Sequence, residues 1–111
     1  MALQRGQIVY VCIGEGVGHE QRGGRPGLIV SDDALNSTSP CVTVCWITTA
    51  EKTTLPSHVP IDCLREPSTV LCETVTTIDV RRTRNIITKL SEEDMNRVDE
   101  ALARAIGLKD K

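Results

Sequence analysis

Hydrophobic and polar positions alternate in short blocks along most of this chain and take up a helical period only near its end. The first apolar block, Ile8-Val9-Tyr10-Val11-Cys12-Ile13, is β-branched and runs into glycines, which predicts a buried strand too short for a helix. Gly14 to Gly24 holds five glycines (14, 16, 18, 23 and 24) and reads as a loop. Arg25-Pro26 closes it, the proline ring pushing Arg25 towards extended geometry. Gly27 to Val30 predicts a second strand, Asp32 to Pro40 a polar connection of turn formers, and Val42 to Thr48 a third strand. A polar stretch, Thr49 to Pro56, precedes His58-Val59-Pro60-Ile61. Pro60 lacks an amide proton, so this piece belongs at a sheet edge. Further strands are expected over Thr69 to Glu73 and Asn85 to Thr88.

The period then changes. Ser91 followed by Glu92, Glu93 and Asp94 is a helix start, with a capping hydroxyl and acidic groups facing the unpaired amides. Met95, Val98, Leu102, Ala105 and Ile106 recur at spacings of three and four, predicting one apolar stripe, and Gly107 is a suitable stop. Several short strands and one late helix predict a mainly β fold with a C-terminal helix: a small, twisted β-barrel with the helix packed across it. No internal repeat or low-complexity tract divides the 111 residues, so residues 1–111 read as a single domain.

Composition narrows the function classes. With 40% hydrophobic and 25% charged residues the chain can bury a core, but an aromatic content of 2% leaves Ile, Val and Leu to build it. The five cysteines form no C-x-x-C pair, and Cys12, Cys45 and Cys72 lie in apolar runs. Buried thiols in a reducing, cytoplasmic compartment fit them best, with a zinc site on His58 and Cys63 as the lesser alternative. The first six residues have no apolar signal core, and no stretch has the length of a membrane span. A formal net charge of −2 disfavours indiscriminate coating of nucleic acid, so any RNA contact requires a groove that is locally basic. Arg22, Arg25, Arg81, Arg82 and Arg84 lie outside the acidic helix and allow one. Arg81 to Arg84 read more readily as a solvated surface cluster, as most charge runs do.

Gly18-His19-Glu20-Gln21-Arg22-Gly23-Gly24-Arg25-Pro26-Gly27-Leu28-Ile29-Val30-Ser31 resembles the G-S-E-Q-x-G-x-R-P-x-L-V-x-S segment of MazF/PemK-type toxins of type II toxin–antitoxin systems. The likeness continues in order through Arg5-Gly6-Gln7-Ile8, Asn36 to Pro40, Ile47-Thr48, Leu55-Pro56-Ser57-His58-Val59, Val70-Leu71-Cys72-Glu73, Thr77-Ile78-Asp79 and the Val98-Asp99-Glu100-Ala101-Leu102 tail. It spans essentially the whole chain. The resemblance implies an SH3-like barrel of the CcdB/MazF toxin kind, a homodimer, and ribosome-independent cleavage of single-stranded RNA at short sequences. It also implies a cognate, MazE-like antitoxin that covers the RNA groove. No cofactor or metal is expected, since no carboxylate pairs or histidine-rich spacings converge in the sequence.

Metal-free RNA cleavage uses the internal 2′-hydroxyl as nucleophile. It leaves a 2′,3′-cyclic phosphate and a 5′-hydroxyl. Arg25 suits the phosphate: its planar fork binds two oxygens and stabilises charge that grows in the transition state, while a guanidinium does not readily give up a proton and so makes a poor base. Thr48, at the end of the third strand, is by itself an ordinary strand former; the resemblance makes it a hydrogen-bond donor to the same phosphate. Glu20 is a candidate acceptor of the 2′-hydroxyl proton, with a plain loop carboxylate as the alternative. Val17, His19, Gln21, Arg22, Thr49, Leu55, Pro56, Glu73 and Thr74 match positions that the resemblance puts along the RNA groove. His19 and Thr74 depart from the usual serine and glutamine, and Thr76 from an arginine, so the RNA word is expected to differ from those of familiar relatives. His58 is expected to be structural. Two competing readings remain: a toxin that docks on a protein target, as CcdB-like gyrase inhibitors do, and a family member that binds without cutting.

Overall fold

The computed structural model describes residues 2–13, 24–50 and 54–108. Six strands form one antiparallel sheet: β1 (Gln7–Cys12), β2 (Gly24–Ile29), β3 (Cys41–Thr48), β4 (His58–Ile61), β5 (Ser68–Asp79) and β6 (Thr83–Lys89), in the spatial order β4-β5-β3-β2-β1-β6. The two edges, β4 and β6, do not pair among the described residues. The expected mainly β fold with a C-terminal helix across the sheet is present, and closure of the sheet into a barrel is not detected among the described residues. Pro60 does sit on an edge strand, where its missing amide proton leaves no ladder partner unsatisfied.

Alternation along the strands buries two apolar sets on opposite faces. Ile8, Leu28, Cys45, Ile47, Val70 and Cys72 form one, which helix α2 (Glu92–Ala105) covers with Val98 and Ala101; Val9, Val11, Ile29, Val42 and Val44 form the other. Ser91 caps α2 by accepting the Asp94 amide at 3.1 Å, as its position predicts. Gly107 ends it at φ +84°, a conformation open to glycine. The predicted stripe is correct at Met95, Val98 and Leu102. It fails at its end: Ala105 and Ile106 are exposed, and Ala101 takes the buried position instead.

Two expectations are corrected. Asp32 to Pro40 is no plain connection but holds a short helix, α1 (Asp33–Thr38), capped by Asp32, whose carboxylate accepts the Ala34 amide at 2.9 Å. The strand expected over Thr69 to Glu73 extends to Asp79, and its register against β3 shifts between Val44 and Trp46. Of the cysteines, Cys45 and Cys72 are buried, Cys12 and Cys41 half-buried, and Cys63 is exposed.

Candidate active site

One row of directly paired residues, Ile86, Val9, Gly27, Trp46, Leu71 and His58, crosses all six strands. Paired residues share a face, so Trp46 and His58 look out on the same side. The next row is split. Thr83, Val11 and Arg25 are in register on one part, and Thr48, Thr69 and Pro60 on the other. The β2–β3 ladder ends at Gly27 and Trp46, and its register carried two residues further sets Arg25 level with Thr48. The two residues therefore flank the point where β2 and β3 cease to pair, on the face that carries Trp46.

Arg25 is exposed, and its guanidinium carbon lies 5.3 Å from the centroid of the Trp46 ring. That is within the range of a cation–π contact. Among the described residues none accepts a hydrogen bond from the guanidinium or forms an ion pair with it, so within them its donors are unspent. The Thr48 hydroxyl oxygen accepts the Ala50 amide at 3.1 Å. An oxygen engaged as acceptor leaves its own proton free to donate. Arg82 contributes a second positive charge nearby: it donates to the Cys12 carbonyl at 3.4 Å and, with Val11, Ile13, Trp46 and Ile78, borders a cavity of about 250 Å³. Arg81 is spent differently, in two contacts to Asp79 at 3.0 and 2.9 Å that hold that carboxyl down to about 2.

The β4–β5 edge of the sheet carries a second cluster. Glu73 accepts the Ser57 hydroxyl at 2.7 Å on one oxygen and meets His58 Nε2 at 3.0 Å on the other. Burial pushes this carboxyl up, but the hydrogen bonds from Ser57, the backbone and His58 together outweigh it and hold the group below its ordinary value. The His58 side chain is buried, matching the expected structural residue, whereas Glu73 is 40% exposed. Leu55, Pro56 and Glu73 come together on a cavity of about 480 Å³, closed on its far side by Arg104 to Gly107 of the α2 terminus. Thr49 lies apart from them, on a cavity of about 580 Å³ with Asp62, Asp94 and Arg97. Thr74 is half-buried, its hydroxyl engaged with two backbone groups of the sheet. Val17, His19, Glu20, Gln21 and Arg22 lie outside the described residues.

Trp46 and Ser57 join the site without having been singled out for it, and Arg82, expected only as one of several arginines that allow a basic groove, takes a place beside Trp46. Trp46 and Ser57 carry no signal until pairing brings them beside Arg25 and Glu73.

Comparison with known proteins places the chain in a family. A family model described as "PemK-like, MazF-like toxin of type II toxin-antitoxin system" matches residues 4–106. Endoribonuclease EndoA of Bacillus subtilis (strain 168) is 39% identical over 115 residues, covering 99% of each chain. Among solved structures, an endoribonuclease in complex with its cognate antitoxin from Mycobacterial species superposes with a TM-score of 0.84 at 26% identity, covering 99% of this chain and 100% of that one. MazF (Form-I) from Deinococcus radiodurans gives 0.77 at 25% identity, over 96% and 98% of the two chains. By this match, carried over nearly its whole length, the chain belongs to the PemK/MazF family of type II toxins and is a homologue of endoribonuclease EndoA.

Proposed function

We propose that this protein is a sequence-specific endoribonuclease toxin, an mRNA interferase that cuts single-stranded RNA without a metal or the ribosome and is neutralised by a cognate MazE-like antitoxin. The observation that carries the reading is the placement of Arg25 and Thr48 on one sheet face, just beyond the last β2–β3 pair, with the Arg25 guanidinium donors and the Thr48 hydroxyl proton both unspent among the described residues.

In this mechanism the 2′-oxygen bonds to the adjacent phosphorus, the bond from phosphorus to the 5′-oxygen breaks, and a 2′,3′-cyclic phosphate and a 5′-hydroxyl result. Arg25 holds two non-bridging oxygens and stabilises the phosphorane. Thr48 donates a further hydrogen bond to it. Glu20 accepts the 2′-hydroxyl proton, and a proton reaches the leaving 5′-oxygen from Arg25 or solvent. Leu55, Pro56, Glu73 and Thr74 contact the RNA beyond the cut, Thr49 does so from its separate cavity, and Val17, His19, Gln21 and Arg22 contribute to the same recognition. Arg82 makes the surroundings of Arg25 locally basic on a chain of net charge −2. Two copies of the chain share the RNA groove as a homodimer in the cytoplasm, one domain from each.

The test is to incubate the purified protein with a long single-stranded transcript in excess chelator and map the ends. Cleavage with 5′-hydroxyl and cyclic phosphate ends is expected. Loss of cutting on chelation overturns the metal-free mechanism, and Arg25→Ala cutting at the wild-type rate overturns the site.

A further inference from the structure

Arg25 is exposed and its side chain long, yet a phosphate clamp works only if the planar fork is held in one orientation before the substrate arrives. Among the described residues the contact that constrains it is the Trp46 ring, 5.3 Å from guanidinium carbon to centroid. Trp46 faces Gly27 across the β2–β3 ladder. A Cβ at Gly27 would come 3.3 Å from Val44 Cβ, a tight approach, and 3.5 Å from Trp46 Cζ3, an ordinary van der Waals contact, so the ring lies directly beside this glycine. The indole thus lies over β2 at Gly27 and reaches the residue two places earlier on the same face, Arg25.

We propose that Trp46 is a positioning residue for Arg25: laid over Gly27, its ring holds the guanidinium plane against the sheet face and leaves the N–H edge turned to an RNA phosphate. A flat aromatic face suits this task better than a carboxylate partner. It orients the cation without consuming its hydrogen-bond donors or neutralising its charge. The inference rests on the reading of Arg25 as the phosphate-binding residue.

The experiment uses a short oligoribonucleotide built on a cleavage site mapped in a long transcript, and its 2′-O-methyl version as the uncleavable ligand. Trp46→Leu is expected to lower kcat roughly 10-fold with little change in KM, and Trp46→Phe, which restores a smaller π face, to recover part of the loss. Trp46 is the sole tryptophan, so its emission reports on the contact directly. Arg25→Ala should shift that emission, and the 2′-O-methyl ligand should change it in the wild type but not in Arg25→Ala. If folded Trp46→Leu keeps wild-type kcat while Arg25→Ala is inactive, the positioning role is wrong and the reading of Arg25 stands. If Arg25→Ala cleaves normally, that underlying reading falls. Should Trp46→Leu fail to fold, the emission of Arg25→Ala decides: an unchanged spectrum, with and without ligand, overturns the proposal.

Discussion

The Thr74 hydroxyl accepts the Trp46 amide at 3.0 Å and donates to the Leu71 carbonyl at 2.6 Å, so one side chain bridges two residues that sit opposite each other on β3 and β5. It does so where the register shifts and the regular ladder cannot serve both groups. The hydroxyl stands in for a backbone neighbour. Because Trp46 in turn lies under Arg25, this small repair also fixes the floor of the candidate site.

Thr74→Val keeps shape and β-propensity but removes both hydrogen bonds. It is expected to cost about 1–3 kcal/mol, since a half-buried amide and carbonyl lose their partner together. Thr74→Ser should restore most of it. Urea denaturation of the three proteins checks this, and equal stability of Thr74→Val and wild type would remove the hydroxyl from its assigned role.

Gly24, beside Arg25, faces Cys12 across the β1–β2 ladder, and its amide donates to the Tyr10 hydroxyl at 2.8 Å. An added Cβ would overlap the Val11 carbonyl oxygen and approach Tyr10 Cε2 to 2.8 Å. Gly24→Ala must therefore displace the start of β2. A loss of roughly 2–3 kcal/mol is expected, with a fall in RNA cleavage beyond what reduced folding explains. A thermal melt and single-turnover cleavage separate the two effects. Wild-type behaviour in both would mean that β2 is not held against Val11 as described.

Glu73 sets a pH dependence whose sign follows from its lowered carboxyl. The ionised form binds Ser57 and His58 better than the protonated form, so the stabilisation is complete above the unfolded carboxylate value of about 4.3 and vanishes as pH falls through the lower folded value. With the side chain 40% exposed, solvent screening limits it to well under about 1 kcal/mol. Wild type should be more stable than Glu73→Gln at neutral pH and converge with it in acid. A gap that widens on acidification contradicts the assignment.

Val98 is fully buried where α2 meets the sheet, against the cluster that includes Ile8, Leu28 and Val70. Val98→Ala should destabilise the protein by about 2 kcal/mol through lost apolar contact and the cavity left behind. A chemical denaturation midpoint within error of wild type would show that α2 does not pack there.

Thiol reactivity gives an independent reading of the core. Cys63 is exposed, and Cys45 and Cys72 are buried beneath α2. An aromatic disulfide reagent should modify Cys63 in the native protein although partial burial raises its pKa, and reach Cys45 and Cys72 only on unfolding. Rapid native labelling of Cys72 would refute the packing.

What could be read in advance were features that a few neighbouring residues decide. Ser91, the acidic first turn, the Met95–Val98–Leu102 spacing and Gly107 specify α2 almost alone, and Pro60 assigns β4 to an edge. α1 escaped because Asp and Ser initiate helices and build turns with the same side-chain chemistry, and six residues show no period. The second half of β5 escaped because Thr74 to Thr77 is polar and half-exposed, without the apolar alternation that marks a strand.

The sequence by itself determined the family, through an ordered set of motifs, and with it the choice of Arg25 and Thr48. It also determined the C-terminal helix and most strands, because local pattern and turn chemistry act within a few residues. Only the tertiary structure decided that Arg25 rests on Trp46, that Trp46 stands opposite Gly27, and that Thr74 closes the shifted register beneath it. Those relations depend on which residue stands opposite which across strands far apart in the chain. A single step of register would turn every one of these side chains to the other face.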